Sequence, residues 1–283
     1  MAGWLAAMVV MAVAGRETTR GLHVFQVLEL RSLIGLAMLA PLIRASGGLA
    51  AMRTRRPLAH VARHSVHFAS TFGWFFALTL IPLAHVVAIE FTMPLWTAVL
   101  AVVVLGERMD RWKAAALVLG LTGVATIVRP DAGSVEPGQL IALVAAVGFS
   151  VSVIMVKSLT RTERTVAIVF WMLAVQAVIG AVPALLVWRP VPASLWPWLL
   201  VVAFCGAFSH LCMAQAMRHA DTTVVVPMDF LRVPLTALAG WLLYAERLDL
   251  LTVVGAGLIL SANLLNLRRG AVGSEAGRPG IGR

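Results

Sequence analysis

Five ionisable side chains of this chain stand inside apolar runs: Glu29, Arg31, Glu90, Asp229 and Arg232. A charge at the centre of such a run costs about 2.5–3.5 kcal/mol on membrane-insertion scales, so each must have a partner, water or a task. Glu90 and Asp229 both fall near the middle third of their runs. Their chemistry there would be to bind a substrate or to take up and release a proton. The alternative is a fixed ion pair, with Asp229 and Arg232 three residues apart on one helical face. Arg31 lies two residues from Glu29 and points to another side of its helix. It calls for an acid from elsewhere, Glu90 being the natural candidate, and a clamp and a carboxylate-binding role both remain open.

Around these charges stand residues suited to walling an amphipathic pocket. His67, Thr71, Trp74 and Leu78 form one stripe at helical spacing, with Ser209, Met213 and Ala216 as a second and His210 beside it. Met93, Phe149, Ser150, Ser152, Trp171 and Gln176 extend the surface. Taken singly, each also suits packed core or a lipid-facing position. His67 and His210 would relay protons or simply bond a neighbouring carbonyl. His60, His64 and His67 follow at four and three residues, but His60 falls in a basic segment that reads as a cationic entrance. No histidine pair at metal-ligand spacing stands beside an acid, so neither a metal nor a cofactor is expected.

These side chains must be positioned by a bilayer-embedded scaffold. Of 283 residues, 60% are AVILMFWYC and only 13% are Asp, Glu, Lys or Arg, against roughly half and a quarter in an average globular chain. The mean hydropathy is +0.90. So little polar side chain cannot cover a wetted surface, and the same figures exclude disorder, collagen and coiled coil. Cys205 and Cys212 share one apolar run and read as small core residues. The net charge of +10 does not imply nucleic acid, because the basic residues cluster at the ends of apolar runs. Nothing at Met1-Ala2-Gly3 reads as the start of a cleaved signal peptide.

Against the roughly 20 residues needed to cross a bilayer, the apolar runs predict an all-α integral membrane protein with ten transmembrane helices. They cover residues 2–15, 25–43, 64–81, 83–105, 112–128, 138–156, 165–188, 195–217, 222–244 and 250–267. The first is short. Alternating the spans puts 16 of the 23 Lys and Arg residues on one side, 5 on the other and 2 inside. That bias places both termini in the cytoplasm. Trp188, Trp196 and Trp198 border one external loop and Trp112 a cytoplasmic one, as an interfacial belt.

The chain repeats itself at an offset of 139: Glu107-Arg108-x-Asp110 falls on Glu246-Arg247-x-Asp249, Glu90-Phe91 on Asp229-Phe230, Thr97-Ala98 on Thr236-Ala237, and Ser70 on Ser209. Asp110 and Asp249 read as N-caps, so these acidic-basic pairs are hairpin structure. Each unit holds five spans, an odd number, so the second crosses the membrane inverted, with a site near midplane between the halves. The expected division is a first repeat at 1–129, an external linker at 130–137, a second repeat at 138–267 and a cytoplasmic tail at 268–283. Gly120, Gly123, Gly255 and Gly257 in the fifth and tenth spans suit close helix contact, within the fold or in a homodimer.

Pro94, Leu105-Gly106-Glu107 and Gly120-x-x-Gly123, echoed by Pro234, Ala245-Glu246 and Gly255-x-Gly257, resemble the EamA-type repeat of the ten-helix drug/metabolite transporter superfamily. Arg31 also matches an arginine that family tends to carry. The resemblance covers essentially the whole chain. It implies alternating-access export of small metabolites, amino acids and some cationic drugs across the cell inner membrane. Amino acids, neutral and aromatic ones included, lead this reading. Uptake or flipping of a vitamin, a nucleotide-type cofactor or a lipid-linked sugar is the alternative. There is no Walker A motif to take ATP, no nucleophile elbow or H-E-x-x-H pair to make an enzyme, and no filter-like loop to make a channel.

Overall fold

The computed structural model describes residues 2–105, 111–128, 136–160, 162–219, 232–245 and 249–275, and among them there is no strand. The helices are α1 (Ala2–Gly21), α2 (Val24–Ala45), α3 (Pro57–Leu80), α4 (Leu83–Glu90), α5 (Met93–Leu105), α6 (Arg111–Val128), α7 (Pro137–Leu159), α8 (Thr165–Leu186), α9 (Trp196–His219), α10 (Arg232–Tyr244) and α11 (Leu250–Glu275). Short 3₁₀ turns occupy Leu49–Met52 and Ala193–Leu195. Among the described residues, four stretches, at Val24–Ala45, Pro137–Val156, Thr165–Leu186 and Ala193–Cys212, are long and apolar enough to cross a membrane.

Three boundaries differ from expectation for a local reason, and α11 also continues to Glu275, into the segment expected as a flexible tail from 268. The first helix is 20 residues long, about 30 Å at 1.5 Å per residue, and so is not short. Its polar last turns are held from within: Thr18 donates to Ala14 and Gly15, Thr19 to Gly15, and Arg20 pairs with Glu17 at 3.0 Å. The guanidiniums of Arg16 and Arg20 cover the Tyr244 ring at 4.6 and 4.9 Å. The third helix starts at Pro57, a residue suited to a first helical turn, seven residues before the apolar run. His60 and Arg63 thus lie inside it, buried, and not in an entrance loop.

The fourth span is broken. Pro94 has no N–H and its ring collides with the carbonyl four residues earlier, that of Glu90. α4 accordingly ends at Glu90, and α5 restarts at Met93. The gap is bridged locally: Thr92 Oγ1 donates to the Ile89 carbonyl at 2.7 Å and accepts from Trp96 Nε1 at 3.0 Å. Discontinuous helices of this kind put backbone ends and side chains at a membrane-depth site.

Packing brings α1 against α9, α2 against α8, α3 against α7 and α6 against α11. A Cβ on Gly123 would fall 2.7 Å from the Gly255 carbonyl oxygen, so these two glycines serve a contact within the chain. Asp249 caps α11 as expected, accepting from Thr252 N at 3.2 Å. Ala245 holds φ 53° after α10, the left-handed geometry that favours glycine, at the place equivalent to Gly106. Glu107, Arg108, Asp110, Glu246 and Arg247 lie outside the described residues. Two loop pairs mark the ends of the bundle. At one, Arg164 donates to the Ser46 carbonyl and Arg56 to Ser158; at the other, Gln26 and Arg189 bond reciprocally.

Candidate binding cavity

A cavity of about 100 Å³ lies at the centre, where α1, α2, α3, α7, α9 and α10 meet the α4–α5 break. The inward stripe of α3 supplies His67, Thr71 and Trp74; α2 supplies Arg31; the break supplies Glu90 and Met93. α7 adds Phe149 and Ser152, α9 adds Ser209 and His210, and α10 adds Arg232. Ten of the thirteen expected site residues therefore converge. A larger apolar hollow of about 410 Å³ runs along the outer faces of α3 and α7 and shares no lining residue with the cavity. It carries no ionisable group.

Of the remaining three, Trp171 falls elsewhere and the other two lie outside what the structure describes. Trp171 lines neither hollow: its Nε1 donates to the Met52 carbonyl at 2.9 Å and its ring lies 5.8 Å from that of His60. It holds the 49–52 turn, because α8 directs this position towards the bundle end. Met213 lies on α9, but its side chain is outside the described residues, as is the whole of Asp229. Five residues that line the cavity were missed, Met8, Met11, Arg63, Phe75 and Val153, while Thr71 lines it as its place on the α3 stripe implied. Arg63 is one helical step before His67 on the same stripe, so the spacing did carry a signal.

Pairing of the buried charges also differs from expectation. Glu90 does not meet Arg31. Its carboxylate accepts from Arg232 Nη2 at 2.9 Å and from Trp74 Nε1 at 2.8 Å, while the Arg232 guanidinium also covers the Phe91 ring at 4.9 Å. Arg31 donates instead to Gln176 Oε1 at 2.9 Å, and Arg63 to His64 Nδ1 at 2.8 Å. Neither has an acidic partner among the described residues. The His67 and His210 rings meet edge-on, Nε2 to Nε2 at 3.2 Å. Lining atoms that remain buried without a hydrogen-bond partner among the described residues include Arg31 Nε, Arg63 Nε, His67 Nδ1 and Ser152 Oγ. Buried polar groups are almost always satisfied, so these mark where a polar ligand would be received. The described lining holds three arginines and one carboxylate. One further acid would still leave cations in excess. No three His, Cys, Asp or Glu side chains among the described residues converge on a metal position.

Fold and site together define a helical membrane transporter, and comparison with known proteins agrees. The profile of the EamA-like transporter family matches residues 2–129 and 136–268; the chain belongs to that family, within the drug/metabolite transporter superfamily. It is 28% identical over 245 residues to an S-adenosylmethionine uptake transporter of Rickettsia prowazekii, covering 86% of this chain and 82% of that one. It is 32% identical over 222 residues to a riboflavin transporter of Rhizobium johnstonii, covering 78% and 74%. A pseudopaline exporter of Pseudomonas aeruginosa, CntI, is 28% identical with 89% of each chain covered. One solved crystal structure superposes with a TM-score of 0.69 over 94% of this chain and 96% of that chain, and at 21% identity it speaks to the fold alone.

Proposed function

We propose that this chain is a secondary transporter that moves a small organic metabolite bearing an anionic group, a carboxylate first of all, through the central cavity by alternating access. The observation that carries this is the pair Arg31 and Arg63: both line the cavity, both keep a bare Nε, and neither has an acidic partner among the described residues. A guanidinium is built for an oxyanion. Trp74, Phe75, Phe149 and Met8, Met11, Met93 supply apolar surface for the remainder of the solute. Cationic drugs suit this lining poorly.

Neutral and aromatic amino acids meet the description through their carboxylate and side chain. The relatives are named for three different cargoes and for both uptake and export, which supports a wider range of metabolites. We further propose ten spans in two inverted repeats, with the face carrying Arg44, Arg53, Arg55, Arg56 and Arg164 in the cytoplasm of the inner membrane. About 100 Å³ holds only a few waters, so loading requires the halves to part. Oligomerisation through the exposed sides of α6 and α11 remains part of the proposal.

The test is counterflow in proteoliposomes with a panel of labelled carboxylates, amino acids, nucleosides and vitamins, each competed by the free acid and by its amide. Competition by acids and not by amides is expected. Equal competition by both would remove the anion site.

A further inference from the structure

α3 carries a row of imidazoles that leads away from the cavity. His60, His64 and His67 share its inward face, with the first two fully buried. Arg63 Nη1 stands 2.8 Å from His64 Nδ1, and His64 Nε2 stands 3.2 Å from His60 Nδ1. A guanidinium only donates, so His64 Nδ1 is the acceptor. Neutral His64 then carries its proton on Nε2 and gives it to His60 Nδ1. His60 must in turn hold its proton on Nε2, which faces Glu163 Oε1 at 3.9 Å. Glu163 lies just before α8 at the basic end of the bundle and accepts from Thr54 Oγ1 at 2.6 Å. One donor-only group therefore sets both tautomers, and the N–H groups of His64 and His60 both point from the cavity towards the basic face.

We propose that His64, His60 and Glu163 form a proton relay between the cavity and the basic face, closed by Arg63 and opened when an anionic group in the cavity draws the guanidinium off His64. The opening step rests on the anion reading of the cavity. Once bare, His64 Nδ1 takes a proton from hydronium on the cavity side. Its Nε2–H bond breaks and that proton passes to His60 Nδ1. His60 releases its own Nε2 proton to the Glu163 carboxylate, the 3.9 Å gap closing towards the ~2.9 Å of a hydrogen bond, and Glu163 gives the proton to water. One proton enters and one leaves; both rings then flip to reset. Among the described residues, the charged and titratable groups around the row are Arg56 at the N-cap of α3, Arg63 of α3, Glu163, Arg31 of α2 and His210 of α9. Of the other helices packed on α3, α1 and α7 bring Met8, Met11, Phe149 and Ser152 to the cavity, and α4 brings Glu90, already engaged by Arg232.

The test needs no substrate. Liposomes carrying the reconstituted protein and an internal pH-sensitive dye receive an imposed pH gradient. Arg63→Met should dissipate it several-fold faster than wild type, and Arg63→Met/His60→Asn should return to the wild-type rate. A water leak caused by the shortened side chain would survive the second change, since His60 lies away from the cavity. An Arg63→Met rate equal to wild type, or a double variant as leaky as the single one, overturns the relay. Should Arg63→Met not fold, ¹⁵N NMR of wild-type histidines decides: His60 and His64 must both be neutral Nε2–H tautomers, and an Nδ1–H on either overturns it. Because neither measurement contains an anion, failure of the cavity reading leaves both outcomes untouched.

Discussion

Two walls of one cavity hold arginines in opposite ways. On the α4–α10 wall, Arg232 is bound to Glu90 at 2.9 Å, and Trp74 takes the other carboxylate oxygen. On the α2–α3 wall, Arg31 and Arg63 have, among the described residues, only neutral acceptors, Gln176 and His64. A buried charge that has met its opposite is consumed in holding helices together; one met only by dipoles still attracts a counter-charge. The pairing distinguishes structure from recognition where residue type alone does not.

Disrupting the paired wall should have the largest effect. Glu90→Gln breaks the buried Glu90–Arg232 ion pair, and losing one partner of such a pair costs about 3–5 kcal/mol. Yield and melting temperature in detergent should fall sharply. Glu90→Gln/Arg232→Gln should restore both, and with them part of the transport. If the single variant keeps wild-type stability but loses transport, Glu90 belongs to recognition and the contrast between the walls is wrong.

Neutralising the other wall should do the reverse. Arg31→Met or Arg63→Met removes a charged hydrogen bond to the solute worth about 1.5–3 kcal/mol, a rise in KM of roughly 10- to 100-fold, with stability little changed. Unfolding of both would mean that they are structural clamps. The smallest effect on KM is expected for Trp171→Ala, which loosens the 49–52 turn and lowers the melting temperature, whereas Trp74→Ala should affect transport. Equal KM changes for the two tryptophans would return Trp171 to the site.

Much of the scaffold was legible because hydropathy tracks what faces lipid. Starts and ends of α2, α7, α8 and α9 lie close to the apolar runs. Failures came where a helix turns polar inwards. α3 begins seven residues before its run because His60, Arg63 and His64 face the interior, so a charge was read as a loop. The same error hid Arg63 from the site. The break after Glu90 was hidden in an unbroken apolar run, although Pro94 marked it. Most lining residues could be read from stripes at helical spacing, but partner choice could not: Glu90 is 142 residues from Arg232, and no local pattern encodes that meeting.

The central claim is that Arg31 and Arg63 select an anion while the Glu90–Arg232 pair only builds the wall. It is tested most directly by a double-mutant cycle on affinity, comparing a transported carboxylate with its amide in wild type, Arg31→Met/Arg63→Met and Glu90→Gln/Arg232→Gln. Wild type should favour the acid, the first variant should lose that preference, and the second should keep it. An acid preference that survives in the first variant and disappears in the second would contradict the account.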